Sequence, residues 1–404
     1  MLSLPEVSDD DIQRAADILR AGGLVAFPTE TVYGLGADAD NSEAVARVFQ
    51  AKGRPASHPL IVHIRGVDQL SEWAIDISET AWALARAFWP GPLTLVLKRA
   101  ARVGDAVTGG QDTVALRSPA HPVARRLLEA FKGGIAAPSA NKFGHISPTL
   151  AEHVREDLGS EVGLVLDGGP TEIGIESTIV DMSRGDPVIL RPGQIGAEQI
   201  AKVVGSSDDA TESVPEASSS VPRAPGSSAP RAPGSHESHY APRAAMKLVK
   251  RREFTDELVK HRGQRVAVLA LEISVPRIAA SVTRVLPASA ALYARELYAK
   301  LRELDALGAD LILVEAPPKT ASWTAIWDRL SRAAHPHAIG PRAERHSHPW
   351  KGEGKRGAAA PAQETVESTG EPTGGEGAAG DPSAAASDGA GDGGRGDSGT
   401  PGQA

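Results

Sequence analysis

The chain has 404 residues, a formal net charge of −8 at pH 7 and no cysteine. This length is sufficient for two or three domains, and the absence of thiols excludes disulfides, cysteine nucleophiles and zinc sites built on sulfur. The acidic balance gives no general basic surface for nucleic acid, and no apolar run reaches the length of a membrane span. Because the N-terminus is acidic and lacks an apolar signal core, we expect a cytoplasmic protein with no membrane segment.

The first predicted elements are a capped helix and a buried strand. Ser8 and Asp11 can form a capping box at the start of an amphipathic helix, which Gly22-Gly23 would end. The apolar run Leu24 to Phe27 predicts a buried strand. Pro28 would end its regular pairing, because proline has no N–H to give to a ladder.

A polar loop and a second helix are predicted next. The loop is rich in hydroxyls, with one carboxylate and two glycines: Thr29, Glu30, Thr31, Tyr33, Gly34 and Gly36. Ser42 can cap a helix that ends near Gly53. Lys52 and Arg54 then lie at the helix exit, which Pro55 stiffens. A strand, a polar loop and a helix that bring two cations beside hydroxyls indicate a site for a phosphorylated ligand.

Short apolar runs alternate with amphipathic stretches as far as Val204. The predicted strands are Pro59–Ile64, Leu93–Lys98, Thr113–Arg117, Ile135–Ala137, Val162–Leu166, Glu176–Val180 and Pro187–Leu190. The predicted helices are Asp68–Ala74, Ser78–Phe88, His121–Phe131, Thr149–Leu158 and Gly196–Val204. Because several strands follow one another directly, we predict a mixed, twisted α/β sheet rather than a purely doubly wound one.

The composition changes after this region. Ser206 to Glu237 is rich in Ser, Pro, Ala and Gly, which bury too little apolar surface to offset their ordering entropy, so a flexible linker is predicted. Three strands alternate with three helices farther on, which predicts a small, parallel, three-layer α/β domain of Rossmann-like type. The predicted strands are Met246–Lys250, Arg265–Leu271 and Asp310–Ala316, and the helices are Thr255–His261, Ala288–Ala306 and Ser322–Ala334. The last stretch is dominated by Gly, Ala, Ser and acidic residues, and disorder is predicted there.

Four segments are therefore predicted, each with its own composition. They are a first α/β domain at 1–205, a linker at 206–243, a C-terminal domain at 244–336 and a low-complexity tail at 337–404. The histidines His335, His337, His346 and His348 border the tail without any carboxylate or thiol framework, and we assign them no function.

Several of these patterns also have plain structural interpretations. Lys52 and Arg54 could be a solvated helix end, and Arg117 a surface ion pair. Ser139 and Asn141 could be turn residues, and His63 a core histidine. Gly34 to Ala39 matches a dinucleotide fingerprint, but no acidic residue follows at the required distance, so a tight turn and close packing are favoured. No P-loop sequence occurs in the chain.

The motifs together resemble one family. FPTETVYGLG at 27–36, AKGRP at 51–55, PSAN at 138–141 and HYAP at 239–242 resemble the Sua5/YrdC/YciO family of threonylcarbamoyl-AMP synthases. The resemblance runs from about Leu4 to Gly205 and resumes at His239. A second domain after the HYAP motif is typical of the longer, Sua5-type members, and the first domain is then expected to have a YrdC-like fold.

The resemblance implies two sets of ligand-binding residues. The ATP-binding positions of the family match Lys52, Arg54, Thr113, the backbone at Ala137, Ser139, Asn141, Ser147, Arg191 and Tyr240. The positions that hold L-threonine match Thr29, His63, Arg117 and Ser177. Lys52 and Arg54 would contact the ATP phosphates and carry the chemistry, and Tyr240 would belong to a lid that excludes water. No residue stands out as a general base.

The implied reaction joins ATP, L-threonine and bicarbonate or CO2 to give threonylcarbamoyl-AMP and pyrophosphate. The product would feed a threonylcarbamoyl-transfer machinery that modifies adenosine 37 in tRNAs reading codons that begin with A. Mg2+ is expected on the ATP phosphates, and no protein metal site is predicted. A weak direct contact with tRNA or other RNA is an open expectation.

Two other classes of protein remain as alternatives. An RNA-binding module would bind RNA in a salt-sensitive way and would not need Thr29 or Arg117. A carbamoyl-transfer accessory domain of the hydrogenase-maturation type would need zinc-finger and acylphosphatase-like segments, which the chain lacks. The second domain departs from the family: residues 322–334 replace its usual GLGxAIxNRLxKAA stretch, so a regulatory contact made by that loop would be altered here.

Overall fold

The computed structural model of the chain describes residues 7–205, 230–234, 239–271 and 282–335. Most of the predicted linker and the whole predicted tail, including its histidines from His337 onward, lie outside the described residues. The elements up to residue 205 are α1 (Asp9–Arg20), β1 (Val25–Pro28), β2 (Tyr33–Asp38), α2 (Ser42–Lys52), β3 (Ile61–His63), α3 (Leu70–Trp73), β4 (Ala74–Ile75), α4 (Glu79–Phe88), β5 (Leu93–Arg99), α5 (Asp105–Thr108), β6 (Thr113–Arg117), α6 (Pro122–Phe131), β7 (Ile135–Ala136), α7 (Ala151–Leu158), β8 (Leu164–Val165), β9 (Thr178–Asp181), β10 (Val188–Arg191) and α8 (Ala197–Val204).

These strands form one ten-stranded sheet. Its order is β10-β9-β5-β6-β3-β7-β2-β1-β8, with β4 paired to β5. The pairs β5–β9, β3–β6 and β1–β8 are parallel. Pairs such as β1–β2, β5–β6 and β9–β10 are antiparallel. The prediction of a mixed sheet is therefore confirmed.

The first helix and the second helix begin and end for local reasons. The predicted capping box at Ser8 and Asp11 is present in α1. The cap of α2 is Asn41 rather than the predicted Ser42, because the Asn41 carboxamide accepts the N–H groups of residues 43 and 44. Gly53 ends α2 in a left-handed conformation at φ 63°, which glycine adopts without steric cost.

The polar loop predicted after Pro28 is shorter than expected. The chain turns within residues 29–32 and returns as β2, antiparallel to β1, so the prediction of a loop leading directly to a helix is wrong. The two glycines lie within this strand rather than in a tight turn. The close packing expected of them is present: a Cβ at Gly36 would lie 2.8 Å from both Phe27 and Ile135.

The two faces of the sheet are covered differently. Ala26 faces a core built with α2, α4, α7 and α8, whereas its neighbours Val25 and Phe27 face α1 and α6, because successive strand residues point to opposite sides. On the α1 side, the farther half of the sheet presents the small or β-branched side chains Ile61, Val96, Ala115 and Ile179. The side chain of Ala232, from the predicted linker, packs on them. This half of the sheet lies beneath the cavity described below.

A second, smaller α/β unit follows. Its elements are β11 (Ala245–Val249), α9 (Phe254–Lys260), β12 (Val266–Leu271), β13 (Val282–Leu286), α10 (Ala290–Ala306), β14 (Leu311–Glu315) and α11 (Thr324–Ala333). The sheet has the order β11-β14-β12-β13 and every pair is parallel, as predicted. It has four strands rather than the predicted three. The missed strand, β13, pairs only with β12 and is half exposed, so its sequence lacks the continuous apolar run of a central strand.

The two α/β units share a hydrophobic contact. Val32, Ile146 and Ile175 from the first unit are buried in the same cluster as Tyr293 and Tyr298 of α10. Among the helices of the described ranges, none combines the length and apolar character needed to cross a membrane.

Candidate functional site

A cavity of about 50 Å³ lies against the half of the large sheet that carries Ile61. Nine sequence-predicted residues line it: Thr29, Arg54, His63, Arg117, Ala137, Ser139, Ser177, Arg191 and Tyr240. The other four are buried but do not line it: Lys52, Thr113, Asn141 and Ser147. Residues from both predicted ligand sets therefore meet in one place.

At one end of the cavity lies a buried ion pair. Arg117, the last residue of β6, donates from Nη2 to Glu30 Oε1 at 2.7 Å and from Nη1 to Thr31 Oγ1 at 2.9 Å. Both side chains of the pair are 5% exposed or less, so the alternative of a surface ion pair is wrong. Burial alone would raise the pKa of Glu30, but the guanidinium of Arg117 and backbone N–H groups hold it below its ordinary value. Glu30 thus orients Arg117, a role that its position in a polar loop did not reveal.

His63 lies beside Arg117. The two residues are register partners on the parallel strands β3 and β6. The imidazole is buried, and its Nδ1 has no hydrogen-bond partner among the described residues. Burial, and next the charge of Arg117, lower the pKa of His63 to about 3. A neutral ring with an unpaired nitrogen at the cavity can bind a ligand group.

Lys52 lies behind the cavity rather than in it. Its Nζ donates to the carbonyl oxygens of Ser139 at 2.6 Å and Asn141 at 2.5 Å, and the residue is 3% exposed. Burial lowers the pKa of the Lys52 ammonium well below its ordinary value. The solvated helix end is therefore wrong for Lys52, which instead fixes the PSAN loop against α2.

Besides Arg117, the cavity is lined by two further cations, Arg54 and Arg191. Arg54 donates from Nη2 to the carbonyl of Pro59 at 2.9 Å, and its Nε has no partner within the described chain. Burial lowers the pKa of Arg54 to about 10, which leaves it charged at neutral pH. Arg191 donates from Nη2 to Ser177 Oγ at 3.0 Å and from Nη1 to the carbonyl of Pro233 at 3.1 Å. It thereby joins the predicted threonine side to the predicted linker.

The end of the predicted linker covers the cavity. Residues 230–234 run from Gln111, which forms hydrogen bonds with the backbone of Arg231, to Arg191, which donates to the carbonyl of Pro233. Gly234 packs directly against the phenolic oxygen of Tyr240. Tyr240 is 1% exposed, and its hydroxyl has no partner among the described residues. The next residue, Ala241, donates its N–H to the carbonyl of Gly144 at 3.0 Å. The composition of this stretch did not predict such packing.

The three remaining predicted residues shape the surroundings. Thr113 begins β6, at the end opposite Arg117. Asn141 donates from Nδ2 to the carbonyls of Lys142 and His145, at 2.8 and 2.9 Å, and so closes the PSAN loop. Ser147 donates to Glu176 Oε1 at 2.5 Å. Glu176 is a cavity residue that sequence reasoning missed.

We expect the pH dependence of stability to report on His63. The pKa of His63 is about 6.5 in the unfolded chain and about 3 in the folded chain. Between these two pH values the unfolded chain binds a proton that the folded chain does not bind. The free energy of unfolding therefore falls as the pH falls through this window. Between pH 7 and pH 5 His63 alone should account for about 2 kcal/mol of that fall. Urea unfolding of wild type and His63→Gln at both pH values measures it, and equal losses in the two proteins would contradict the assignment.

Within the described ranges, no group of three His, Asp or Glu side chains could hold a metal ion. The polar side chains that line the cavity are arginines, hydroxyls, a neutral imidazole and the carboxylate of Glu176. Such a set can hold a carboxylate and phosphates and can stabilise negative charge that develops between them.

Comparison with known proteins gives a consistent result along the chain. The family model Sua5_yciO_yrdC, described as telomere recombination, matches residues 17–193. A second, described as threonylcarbamoyl-AMP synthase, C-terminal domain, matches residues 195–335. A threonylcarbamoyl-AMP synthase of Pyrococcus abyssi is 43% identical over 331 residues, which cover 80% of this chain and 94% of that protein. One from Bacillus subtilis is 41% identical over 343 residues, covering 81% and 94%.

The fold agrees with these matches. A crystal structure of P. abyssi Sua5 complexed with L-threonine aligns with a TM-score of 0.71 at 41% sequence identity, covering 82% of this chain and 96% of that one. The resemblance carried by the four motifs is thus confirmed over both α/β units. The chain belongs to the Sua5/YrdC/YciO family, in its two-domain threonylcarbamoyl-AMP synthase branch, and is an enzyme of the nucleotidyltransferase class.

Proposed function

We propose that the chain makes threonylcarbamoyl-AMP and pyrophosphate from ATP, L-threonine and bicarbonate or CO2. The observation that carries this proposal is that the buried Arg117 and His63 line the same cavity as the cations Arg54 and Arg191. An amino acid and a triphosphate need these two environments side by side. The product would supply the threonylcarbamoyl group of adenosine 37 in tRNAs that read codons beginning with A.

At the amino-acid end, Arg117 binds the threonine carboxylate. A guanidinium has five N–H donors. In the closed cavity Nε donates to the carbonyl of Gly91 at 3.3 Å, and one N–H each goes to Thr31 and Glu30. Two donors are left, which suits a bidentate carboxylate. The hydroxyl of Ser177 and the unpaired nitrogen of His63 are then placed to contact the threonine hydroxyl and amine, whereas the hydroxyl of Thr29 already donates to the carbonyl of Val32 at 2.7 Å.

At the nucleotide end, Arg54 and Arg191 bind the phosphates, with the backbone of Ala137 and Ser139 beside them. A carbamate formed on the threonine amine attacks the α-phosphorus through an oxygen. A new P–O bond forms as the bond to the pyrophosphate oxygen breaks, and pyrophosphate leaves with the electron pair. The arginines stabilise the negative charge that develops on the phosphates, so positioning and electrostatics supply the catalysis.

Mg2+ enters this scheme as part of the nucleotide substrate. It neutralises phosphate charge when bound to ATP. The residues present do not form a carboxylate cage for it, since Glu30 and Glu176 are both engaged by arginines. The chain's own residues bind and orient the phosphates through Arg54 and Arg191.

The segment that covers the cavity acts as a lid. Ligand pockets usually measure about 300–1,000 Å³, so a cavity of about 50 Å³ is too small for ATP and threonine together. Residues 230–234 and Tyr240 must therefore move outward to admit the substrates. Their return excludes water from the carbamate, which is unstable in water.

We expect pyrophosphate release from ATP and bicarbonate to depend on L-threonine. L-Serine should support the reaction less well by about tenfold to two-hundredfold, because it lacks one methyl group. Pyrophosphate is measured by a coupled assay, and threonylcarbamoyl-AMP by chromatography. Pyrophosphate release that is equal with and without L-threonine would contradict the proposed function.

The variant Arg117→Ala is the matched test of the amino-acid end. It should weaken L-threonine binding far more than ATP binding in calorimetry. Glu30→Gln keeps the guanidinium and should have the smaller effect of the two. Equal losses for both ligands in Arg117→Ala would remove Arg117 from the threonine site.

A further inference from the structure

Glu176 is a buried carboxylate whose partners come mainly from the second α/β unit. It lies next to Ser177 and lines the cavity. Its Oε2 accepts from Arg329 Nε at 2.7 Å and from Tyr298 Oη at 3.1 Å, and its Oε1 accepts from Ser147. Arg329 lies on α11 and Tyr298 on α10, so two of these three donors reach the site from outside the first unit.

Arg329 uses all its nitrogens at this junction. The residue is 1% exposed. Besides Glu176 Oε2, it donates from Nη1 to the carbonyl of Pro192 at 3.0 Å and to Asp328 Oδ2 at 2.6 Å. Nη2 lies 3.4 Å from the backbone carbonyl of Glu176. Its guanidinium also stands 5.2 Å from the ring centre of Tyr240, a cation–π distance. One side chain therefore contacts both Glu176 and the lid tyrosine.

The charge of Arg329 matters because of what lies on the other side of Glu176. Arg191, proposed for the phosphates, also interacts electrostatically with Glu176 but directs its hydrogen bonds to Ser177 and Pro233. A carboxylate without a cation would repel a triphosphate and would draw Arg191 toward itself. With Arg329 in place, the negative charge of Glu176 is neutralised by a cation from the second unit.

A second contact also connects the second unit to the site. A Cβ on Gly174 would lie 2.4 Å from the backbone oxygen of Ala294 in α10, so this loop touches the helix backbone directly. The N–H groups of Ile173 and Gly174 donate to the carbonyls of Glu30 and Thr31. Helix α10 thus braces the loop that holds the partners of Arg117.

We propose that Arg329, with Tyr298, is a positioning residue for the reaction: it neutralises Glu176 and holds Tyr240, so that the second unit forms the back wall of the active site. The proposal rests on the proposed function. It gives the second unit a task in synthesis itself, in addition to its contribution to the fold.

The test compares Arg329→Met with the double variant Arg329→Met/Glu176→Gln. Arg329→Met should raise the KM for ATP at least about tenfold while the KM for L-threonine changes less, since the unpaired carboxylate faces the phosphates. Removing that carboxylate in the double variant should restore most of the ATP affinity. Arg329→Lys should lie between wild type and Arg329→Met, because it keeps the charge and loses the planar contacts.

Asp157→Asn is the matched control. It weakens a second, partly buried ion pair between the two units, Arg302 to Asp157 at 2.7 Å, and leaves the contacts of Glu176 and Tyr240 in place. It should lower the thermal unfolding midpoint and leave both KM values unchanged. All variants are assayed below their unfolding midpoints, and calorimetry with a non-hydrolysable ATP analogue measures nucleotide affinity without turnover.

The outcomes separate the two proposals. Wild type without threonine-dependent pyrophosphate release would overturn the proposed function, whatever the variants do. An active wild type whose KM for ATP is unchanged in Arg329→Met, or whose double variant is no better than the single one, would overturn the role of Arg329. An equal rise in the KM for ATP in Asp157→Asn would reduce Arg329 to a structural contact and would also overturn it.

Discussion

Lys52→Met is expected to lower pyrophosphate release about a hundredfold, the scale of losing one preorganised electrostatic group. Methionine fills the space of the lysine stem but leaves the carbonyls of Ser139 and Asn141 without their shared donor. The carbonyl of Ser139 keeps the N–H of Asn141 at 3.0 Å, but the buried carbonyl of Asn141 loses its donor at a cost of about 1–3 kcal/mol, so the PSAN loop should shift away from the cavity. The measurement is the rate of pyrophosphate release at saturating substrates, with circular dichroism to confirm folding.

Lys142→Met is the control for this variant. Lys142 also crosses from the PSAN loop to α2, where it donates to the carbonyl of Ala51 at 2.7 Å, but it is only partly buried. Its loss should change the rate by no more than about threefold, since a single partly exposed hydrogen bond contributes about 0.5–1.5 kcal/mol and a solvated carbonyl can bind water instead. Comparable losses in both variants, or full activity in Lys52→Met, would show that Lys52 does not position the loop for catalysis.

Tyr240→Ala is expected to lower the yield of threonylcarbamoyl-AMP by a factor on the order of a hundred. This is the loss typical of reactants that are no longer held in the reactive geometry. The ring packs between Tyr298, with ring centres 5.9 Å apart, and the guanidinium of Arg329. Without it, water reaches the carbamate and the closed state loses a principal contact. The yield of product per pyrophosphate, followed by chromatography, should fall more steeply than ATP binding.

Tyr240→Phe separates the ring from its hydroxyl. The ring alone can keep the stacking, so this variant should retain most of the product yield while losing ATP affinity if the unpaired hydroxyl is used by the nucleotide. A Tyr240→Ala protein that makes and retains the adenylate as well as wild type would refute the lid.

The sequence predicted most elements because their signals are local. Capping residues and apolar periodicity locate α1 and α2 within one or two residues. Among the elements missed in the first unit, β2 is rich in glycine, and its Gly36 is required by the closeness of Phe27 and Ile135 rather than by a turn. The local sequence does not show whether a glycine is required by close packing across a sheet or by a turn.

Many residues of the site could be predicted from the family resemblance. Their contacts with segments far away in the chain could not be predicted. The family resemblance names Arg117 and Lys52, but their partners Glu30 and the carbonyl of Asn141 lie 87 and 89 positions away in the chain. The pair of Arg329 and Glu176 spans 153 positions. A buried arginine in an amphipathic helix looks like any other helical arginine until the partner across the interface is known.

The packing of residues 230–234 has a thermodynamic consequence for nucleotide affinity. This segment lies across the nucleotide groove, which is the end of the cavity proposed to bind the phosphates. Because it belongs to the same chain, it competes with ATP at an effective concentration that does not change on dilution. If the groove is open about one-hundredth of the time, the apparent dissociation constant for ATP is about a hundredfold higher than the intrinsic one. Weakening the contacts of Arg231 with Gln111 would therefore tighten ATP binding, because the groove would be open for a larger share of the time.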